Sequence, residues 1–293
     1  MDIPMVRLND GNSMPQLGLG VWKMRDGEEV RHAVDTALQN GYRLIDTAAV
    51  YGNEGGVGEG VRRSGITRDE IFVTTKLWNG DQGYDSALRA FDTSLSRLGM
   101  DYVDLYLIHW PVPAMDKYVD SWKALLEVKE SGRARSVGVC NFGTTELERL
   151  MNETGIAPAV NQIELHPHLQ QAELRAYCNE KGIQIESWSP IGGSGGDLLN
   201  DPKLILISEK YDKSPAQVVI RWHLQLGLVV IPKSSHDDRI KENIDVFDFE
   251  LDEEDMKTIA SMDMGTRRGP DPATFGVHTR TNVMGLAHKL RLI

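Results

Sequence analysis

VDLYLIHWPVPAMDKYVDSWKALLEVKESGRARSVGVCN, residues 103–141, is the clearest structural signal in the chain. Two apolar runs, 103–110 and 134–141, flank a segment from Ser121 to Val128 in which apolar residues recur three or four positions apart. Buried parallel strands are apolar on both faces, whereas a helix that packs on a sheet carries one apolar stripe. The segment therefore predicts one strand, one helix and a second strand that runs parallel to the first.

The same unit recurs along the chain. Successive apolar runs end in a polar or aromatic residue, and the spacing between the ends is close to one strand plus one helix. The runs end at Trp22, Asp46, Lys76, His109, Asn141, Gln162, Trp188 and Lys233. Eight such units are typical of a (β/α)8 TIM barrel, an α/β fold in which side chains at the carboxyl ends of the strands meet at one mouth. Apolar residues also flank the turn at 9–12, which predicts an amino-terminal β-hairpin that plugs the bottom of the barrel.

Length and composition indicate a single domain of the size of a TIM barrel. The chain has 293 residues, and barrels of this kind have ~250. We expect one barrel domain over residues 1–278 and a basic tail of uncertain order over residues 279–293. The formal net charge of -11 argues against nucleic acid and anionic membranes as partners. No signal peptide or membrane span is recognisable, and two cysteines cannot form a disulfide framework. We therefore expect a cytoplasmic protein, as a monomer or weak oligomer.

Titratable residues cluster at the predicted mouth. Asp46, Lys76 and His109 end successive strands, and Tyr51 follows in the loop DTAAVYGNE. Burial of a lysine ammonium calls for a carboxylate partner, and Asp46 is the natural one. A nearby positive charge favours a phenolate, so we expect Lys76 to lower the pKa of Tyr51 and make it a proton donor to a developing alkoxide. His109 would orient the carbonyl as a second hydrogen-bond donor.

Each of these residues also has a structural interpretation. Asp46 can cap a helix, Lys76 can neutralise that aspartate, Tyr51 can pack in a loop, and His109 can be a core residue. Because all four fall at one mouth, the combination favours a reactive centre.

Short motifs around these residues carry a family resemblance. They are DTAAVYGNE (46–54), TTKLWN (74–79), DLYLIHWP (104–111), GVCNF (138–142), VNQIELHP (160–167), SWSPIG (187–192), IPKSS (231–235) and RIKEN (239–243). From about Leu8 to Phe275 their order resembles that of the aldo-keto reductases, and especially the microbial members that reduce diketo-gluconate and methylglyoxal. The resemblance implies an oxidoreductase that uses NADPH to reduce small aldehydes and ketones, such as 2-oxoaldehydes or keto sugars. Asp46, Tyr51, Lys76 and His109 match the catalytic tetrad of the family.

The cofactor site also follows from the resemblance, since no G-x-G-x-x-G follows a strand. The side chains of Asn141 and Gln162 would bind the nicotinamide carboxamide, and Trp188 would stack on the nicotinamide ring. The loop from Ser189 to Gly196 would close over the pyrophosphate. Lys233, Ser234 and Arg239 would bind the 2′-phosphate, and Glu242 and Asn243 would contact the adenine edge. The expected cofactor-binding residues are Cys140, Asn141, Gln162, Trp188, Ser189, Ile191, Gly193, Lys233, Ser234, Arg239, Glu242 and Asn243. Cys140 departs from the serine that is usual in the family, which weakens one predicted carboxamide contact.

Tryptophans define the expected substrate site. Trp22, Trp78 and Trp110 should form an apolar collar around the polar centre. The loop 111–118 is short, and the chain after Phe275 does not resemble the longer tails of the family. We therefore expect an open pocket with broad specificity for small carbonyl compounds.

The sequence also contains features of three other kinds of protein. Glu164, His166 and His168 alternate as metal ligands can, but the His-x-His of barrel hydrolases is absent from the first strand, and no metal is predicted. Tyr177 and Lys181 form a Y-x-x-x-K as in short-chain dehydrogenases, but within a helix and without the glycine fingerprint. Some relatives of the family are redox-sensing subunits that bind NADPH with little turnover, and the intact tetrad argues against this role.

Overall fold

The computed structural model describes residues 3–193 and 197–276. The predicted basic tail, 279–293, and residues 194–196 of the glycine-rich loop lie outside the described residues. The proposed domain boundary at residue 278 therefore stays a prediction. Within the described ranges, every helix is too short or too polar to cross a bilayer.

Eight parallel strands form the central sheet of the described chain, and each pairs with the next one in sequence. The strands are β3 (Leu19–Gly20), β4 (Leu44–Asp46), β5 (Phe72–Leu77), β6 (Val103–Ile108), β7 (Ala134–Cys140), β8 (Val160–Glu164), β9 (Gln184–Trp188) and β10 (Val229–Val230). The first and last strands also meet. The Gly18 amide donates to the carbonyl oxygen of Val230 at 2.9 Å, and Gly20 bridges in parallel to Lys233. The sheet is thus closed, and the predicted (β/α)8 barrel is confirmed.

Helices surround this sheet on its outer face. In the described part of the chain they are α1 (Glu28–Gln39), α2 (Glu54–Arg63), α3 (Tyr84–Leu98), α4 (Tyr118–Glu130), α5 (Thr144–Thr154), α6 (Ala172–Glu180), α7 (Pro202–Tyr211), α8 (Pro215–Gln225), α9 (Asp237–Ile244) and α10 (Glu253–Ala260). Short 3₁₀ turns span Ala49–Tyr51, Arg68–Glu70, Asn79–Asp81, Pro113–Met115 and Leu198–Asn200. Two helices, α7 and α8, separate β9 from β10, which explains the long interval between Trp188 and Lys233.

The amino-terminal hairpin closes one end of the barrel. Strand β1 (Met5–Arg7) pairs antiparallel with β2 (Ser13–Pro15). Leu8 and Met14 are buried in the same apolar cluster as the inward-facing Leu44 and Leu105. The Asn12 side chain donates to the carbonyl oxygen of Arg135, near the start of β7. The hairpin therefore covers the amino ends of the strands, opposite the predicted mouth.

The closing strands are shorter than the sequence predicts. The apolar runs 18–22 and 228–233 suggested full strands, but β3 and β10 contain two residues each. Pro232 has no amide hydrogen to donate, so the ladder cannot continue regularly through it. Gly20 lies close to this point, and a Cβ there would be 3.0 Å from the Ile231 carbonyl oxygen.

Candidate active site

The carboxyl ends of the strands open into a cleft of about 650 Å³, a size typical of small-molecule sites. Asp46 is the last residue of β4, and Tyr51 ends the 3₁₀ turn that follows it. His109 comes directly after β6. These three residues line the cleft, whereas Lys76 in β5 is completely buried. The parallel order of β4, β5 and β6 thus brings the four predicted residues to one place.

Lys76 and Asp46 form a buried ion pair, as expected from the sequence. The Lys76 Nζ lies 2.6 Å from Asp46 Oδ1 and donates a second hydrogen bond to the Thr47 carbonyl oxygen at 2.9 Å. Burial alone would lower the pKa of Lys76, but the negative charge of Asp46, the hydrogen bond to it and the neighbouring Tyr51 and Cys140 together raise that pKa above its usual value. Lys76 is therefore a permanent cation under the cleft floor.

Tyr51 lies between this pair and the aromatic wall. Its ring centroid is 5.2 Å from Lys76 Nζ and 4.7 Å from the ring of Trp22. Burial raises the pKa of Tyr51 above its usual value; Lys76 opposes this rise, and Asp46 adds to it. Lys76 acts in the expected direction, but burial outweighs it, so the pKa of Tyr51 lies above its usual value and not below it as the sequence predicted. The carboxylate that keeps Lys76 charged also opposes the effect of Lys76 at the phenol.

His109 is neutral in this environment. Burial lowers the pKa of His109 well below its usual value, and the positive charge of Lys76 lowers it further. Its ring meets Tyr51 and Trp78 edge-on, with centroids 5.7 and 5.3 Å away. The Nδ1 atom is buried without a partner among the residues described. A neutral imidazole with one N–H can donate a single hydrogen bond to an oxygen in the cleft.

Two amide side chains occupy the next two strand ends. Asn141 adopts a left-handed backbone conformation with φ 62°. Its Nδ2 donates to the His109 carbonyl oxygen at 3.0 Å, and its Oδ1 accepts from the Trp188 indole at 2.9 Å. The Gln162 Nε2 donates to Asp46 Oδ2 at 2.9 Å and to Glu186 Oε2 at 2.7 Å. An N–H of Asn141 and the carbonyl oxygen of Gln162 thus remain for a ligand.

Part of the cleft wall is basic. Lys233, Ser234 and Arg239 line it together. Burial lowers the pKa of Lys233, and the cations Lys23 and Arg239 lower it as well, whereas the negative charge of Glu29 acts in the opposite direction. Neither Lys233 nor Arg239 has an acidic partner within ion-pair distance in the described residues. Such a group of cations is suited to an anion with several negative charges.

The loop after β9 connects this basic part of the wall with Trp188. Ser189, Ile191 and Gly193 line the cleft as the sequence predicted. Ser189 has φ 50°, and Gly192 and Gly193 have φ 82° and 68°. A glycine-rich turn of this kind leaves backbone N–H groups uncovered by side chains, which is compatible with an anion there.

Three predicted cofactor residues are not part of the described cleft wall. Cys140, the last residue of β7, is buried inside the barrel, whereas Asn141, which follows the strand, lies at the mouth. Burial raises the pKa of the Cys140 thiol well above its usual value. Glu242 and Asn243 follow Arg239 on α9, one turn farther along. Their adenine contact stays a prediction.

The apolar collar contains one more ring than the sequence analysis identified. Trp22, Trp78 and Trp110 all line the cleft, and so does Phe275. The Phe275 ring centroid lies 4.4 Å from that of Trp110 and 6.5 Å from that of Trp78. Phe275 was missed because the segment that carries it shows no helical or strand periodicity.

The segment 268–275 reaches the cleft because Glu164 anchors it. The Glu164 carboxylate accepts hydrogen bonds from the backbone amides of Arg268 and Gly269, and His166 Nε2 lies 3.1 Å from it. Glu164 and His166, weighed above as metal ligands, are therefore occupied in holding this segment. A Cβ on Gly269 would lie 2.3 Å from the Trp188 ring, so the segment packs directly against that side chain.

Comparisons with known proteins agree with this arrangement. The profile of the Aldo/keto reductase family matches residues 16–264. An aldo-keto reductase of Mycolicibacterium smegmatis is 57% identical over 272 residues, which are 93% of this chain and 98% of that protein. The methylglyoxal reductase DkgA of Escherichia coli (strain K12) is 51% identical over 272 residues, again 93% and 98% of the two chains.

A solved structure gives the same result. A mutant of Gox0644 in complex with NADPH superposes with a TM-score of 0.89 and is 50% identical, and the match covers 94% of this chain and 99% of that one. Sequence family, closed barrel and the position of the buried lysine–aspartate pair lead to one conclusion: the chain is an oxidoreductase that belongs to the aldo/keto reductase family.

Proposed function

We propose that this protein uses NADPH to reduce small aldehydes and ketones, in particular 2-oxoaldehydes or keto sugars, to alcohols. One observation carries the proposal. Tyr51, His109 and the buried Lys76–Asp46 pair meet at a cleft that Lys233 and Arg239 also line. A proton donor and phosphate-binding cations thus share a cleft of the size that a small ligand requires.

The residues of the cleft fit a phosphorylated nicotinamide dinucleotide. Asn141 offers a donor and Gln162 an acceptor, which complement the two groups of a carboxamide. Trp188, held by its hydrogen bond to Asn141, offers a ring face. Lys233, Ser234 and Arg239 suit a 2′-phosphate. The NADPH complex of the structural neighbour Gox0644 supports the same assignment.

The chain's own groups then divide the reaction between them. When bound, NADPH supplies a hydride to the carbonyl carbon. Tyr51 gives its phenolic proton to the carbonyl oxygen, while the N–H of His109 holds that oxygen in place. The charge of Lys76 stabilises the phenolate that remains, and Asp46 keeps Lys76 at the required position. Tyr51 regains its proton from solvent.

The substrate site favours small, compact carbonyl compounds. Trp22, Trp78, Trp110 and Phe275 line the cleft beside Tyr51 and His109, so a largely apolar wall surrounds the two groups that would bind the reacting oxygen. The relative in Escherichia coli is named a methylglyoxal reductase, and a 2-oxoaldehyde of that size suits the collar. We expect broad specificity, and a monomeric or weakly associated protein that acts in the cytoplasm.

The test is a screen of carbonyl compounds with NADPH and with NADH, in which the loss of absorbance of the reduced nicotinamide measures turnover. We expect turnover of methylglyoxal and of keto sugars with NADPH, and weaker turnover with NADH. Tight NADPH binding without turnover of any compound would contradict the proposal and support the redox-sensing alternative. Size-exclusion chromatography of the same sample measures the oligomeric state.

A further inference from the structure

A second carboxyl group is buried in the centre of the barrel, and the reaction described above does not use it. Glu186 lies on β9, opposite Gln162 of β8 in the strand register, and its side chain is completely buried. Its Oε2 accepts the hydrogen bond from Gln162, while its Oε1 is buried without a partner in the described chain. Burial of a carboxyl group costs free energy of folding, whereas an apolar side chain could fill the same position without that cost. The presence of glutamate at position 186 therefore needs a reason.

The geometry around Gln162 supplies one. A primary amide has two N–H donors and one carbonyl acceptor. One N–H of Gln162 is bound by Asp46, which can only accept because it is ionised and paired with Lys76. The other N–H is bound by Glu186. Both donors are therefore used below the cleft floor, and the carbonyl oxygen is the one polar atom of Gln162 left for a ligand.

We propose that Glu186 is a positioning residue, which together with Asp46 holds the amide of Gln162 so that its carbonyl oxygen faces the nicotinamide carboxamide. This inference rests on the placement of the nicotinamide in the proposed function. In that placement Gln162 accepts from the carboxamide NH2 group, while Asn141 donates to the carboxamide oxygen. If Glu186 offered no acceptor, the amide could turn over and place its own NH2 group against the NH2 group of the ligand.

The protonation state of Glu186 is compatible with this role. Burial raises the pKa of Glu186, and the negative charge of Asp46 raises it further, while Gln162 and Lys76 act in the opposite direction. A protonated carboxyl group still has a carbonyl oxygen that accepts from Gln162. A glutamine at position 186 would offer the same acceptor, whereas a methionine of similar length would offer only a weakly accepting sulfur and a leucine no acceptor.

The experiment compares the wild type with Glu186→Gln and Glu186→Met. Quenching of tryptophan fluorescence gives the dissociation constants of NADP⁺ and of its 3-acetylpyridine analogue, in which a methyl group replaces the carboxamide NH2. The fragment 2′,5′-ADP, which lacks the nicotinamide, is the control ligand. Glu186→Leu provides a second apolar side chain of different shape should the methionine variant fail to fold, and circular dichroism verifies the fold of each.

We expect the wild type and Glu186→Gln to prefer NADP⁺ over the analogue by the same factor. In the apolar variants the ratio of the two dissociation constants should fall by about fivefold, which corresponds to one ordinary hydrogen bond. The affinity for 2′,5′-ADP should not change. An unchanged preference in the apolar variants would overturn the role of Glu186 alone, and so would a parallel loss of 2′,5′-ADP binding. A wild type that does not distinguish the two ligands would overturn the nicotinamide placement itself.

Discussion

The surroundings of Tyr51 keep its phenol protonated, as the proton-donor role that we propose for it requires. Burial raises the pKa of its phenol, and the Lys76–Asp46 pair, which is neutral as a whole, does not reverse this. The phenol therefore carries its proton throughout the neutral range. The lysine becomes important after proton transfer, when an anionic oxygen lies close to its positive charge.

Replacement of Tyr51 by phenylalanine isolates this proton. The ring that packs on Trp22 is kept in Tyr51→Phe, so NADPH affinity should not change, whereas kcat should fall by about 10²- to 10⁴-fold, the usual contribution of a general acid. Stopped-flow binding and steady-state kinetics measure the two quantities. Tyr177→Phe is the matched control, because that hydroxyl lies in helix α6 and has no partner among the described residues. Equal turnover in Tyr51→Phe and the wild type would reject the proposed acid.

Lys233 should determine the preference for the phosphorylated cofactor. Loss of a charge-assisted hydrogen bond to phosphate in Lys233→Ala is expected to weaken NADPH binding by roughly 10- to 100-fold and NADH binding far less. Lys181→Ala is the control, since Lys181 pairs with Glu180 on the exposed helix α6. Titration of each variant with both nucleotides provides the measurement. An equal loss of affinity for NADPH and for NADH would show that Lys233 does not bind the 2′-phosphate.

At the level of elements, the segment 268–275 couples the carboxyl-terminal part of the described chain to the ring of Trp188. Glu164 fixes two of its backbone amides, and Gly269 leaves no room for a side chain against the indole. The position of Trp188 therefore depends on both the strand that carries it and the segment that covers it.

The variant Gly269→Ala tests this coupling. The added methyl group must displace either the segment or the Trp188 ring, and overpacking of this kind costs about 1–3 kcal/mol of unfolding free energy. We expect a lower unfolding midpoint and weaker NADPH binding. Gly80→Ala is the control, because a Cβ at that position meets open space. Wild-type affinity for NADPH in Gly269→Ala would mean that the segment does not hold the indole.

The sequence predicted those elements whose signal is local. Strand ends were found because an apolar run stops at a polar or aromatic residue, as at Asp46 and Asn141, and the barrel follows from the repetition. Glu186 was missed because IQIESW (183–188) does not reveal that Gln162 lies opposite in the register. Residues 268–275 were missed as part of the site because their position depends on Glu164, which is about a hundred residues away in sequence.

For the whole molecule, the buried Glu186 should make the free energy of unfolding depend on pH. An unfolded glutamate has a pKa of about 4.3, whereas burial raises the pKa of Glu186 in the folded protein to about 8. Between these values the folded state holds a proton that the unfolded state has released, so the contribution of Glu186 to the unfolding free energy falls as pH rises. Below the lower value the contribution is fully present.

The variant Glu186→Gln should remove this dependence, because an amide does not titrate. We expect the difference in unfolding midpoint, variant minus wild type, to be larger at pH 8 than at pH 5, in the absence of nucleotide. Asp46, Lys76 and Cys140, the titratable groups near Glu186, are present in both proteins. The same difference at both pH values would mean that Glu186 ionises in the folded state as readily as in the unfolded chain.

The seam between Gly20 and Lys233 affects how the protein is made. Asp46, Tyr51, Lys76 and His109, to which we assign the chemistry, are all incorporated into the chain before residue 110 is added. The residues assigned to the dinucleotide begin at position 140 and extend beyond Lys233, the residue that meets Gly20 where the two ends of the sheet join. A nascent chain therefore contains every group assigned to the reaction long before it contains all the residues assigned to the cofactor. Cofactor binding becomes possible only after the last strand of the barrel and the residues that follow it have been added.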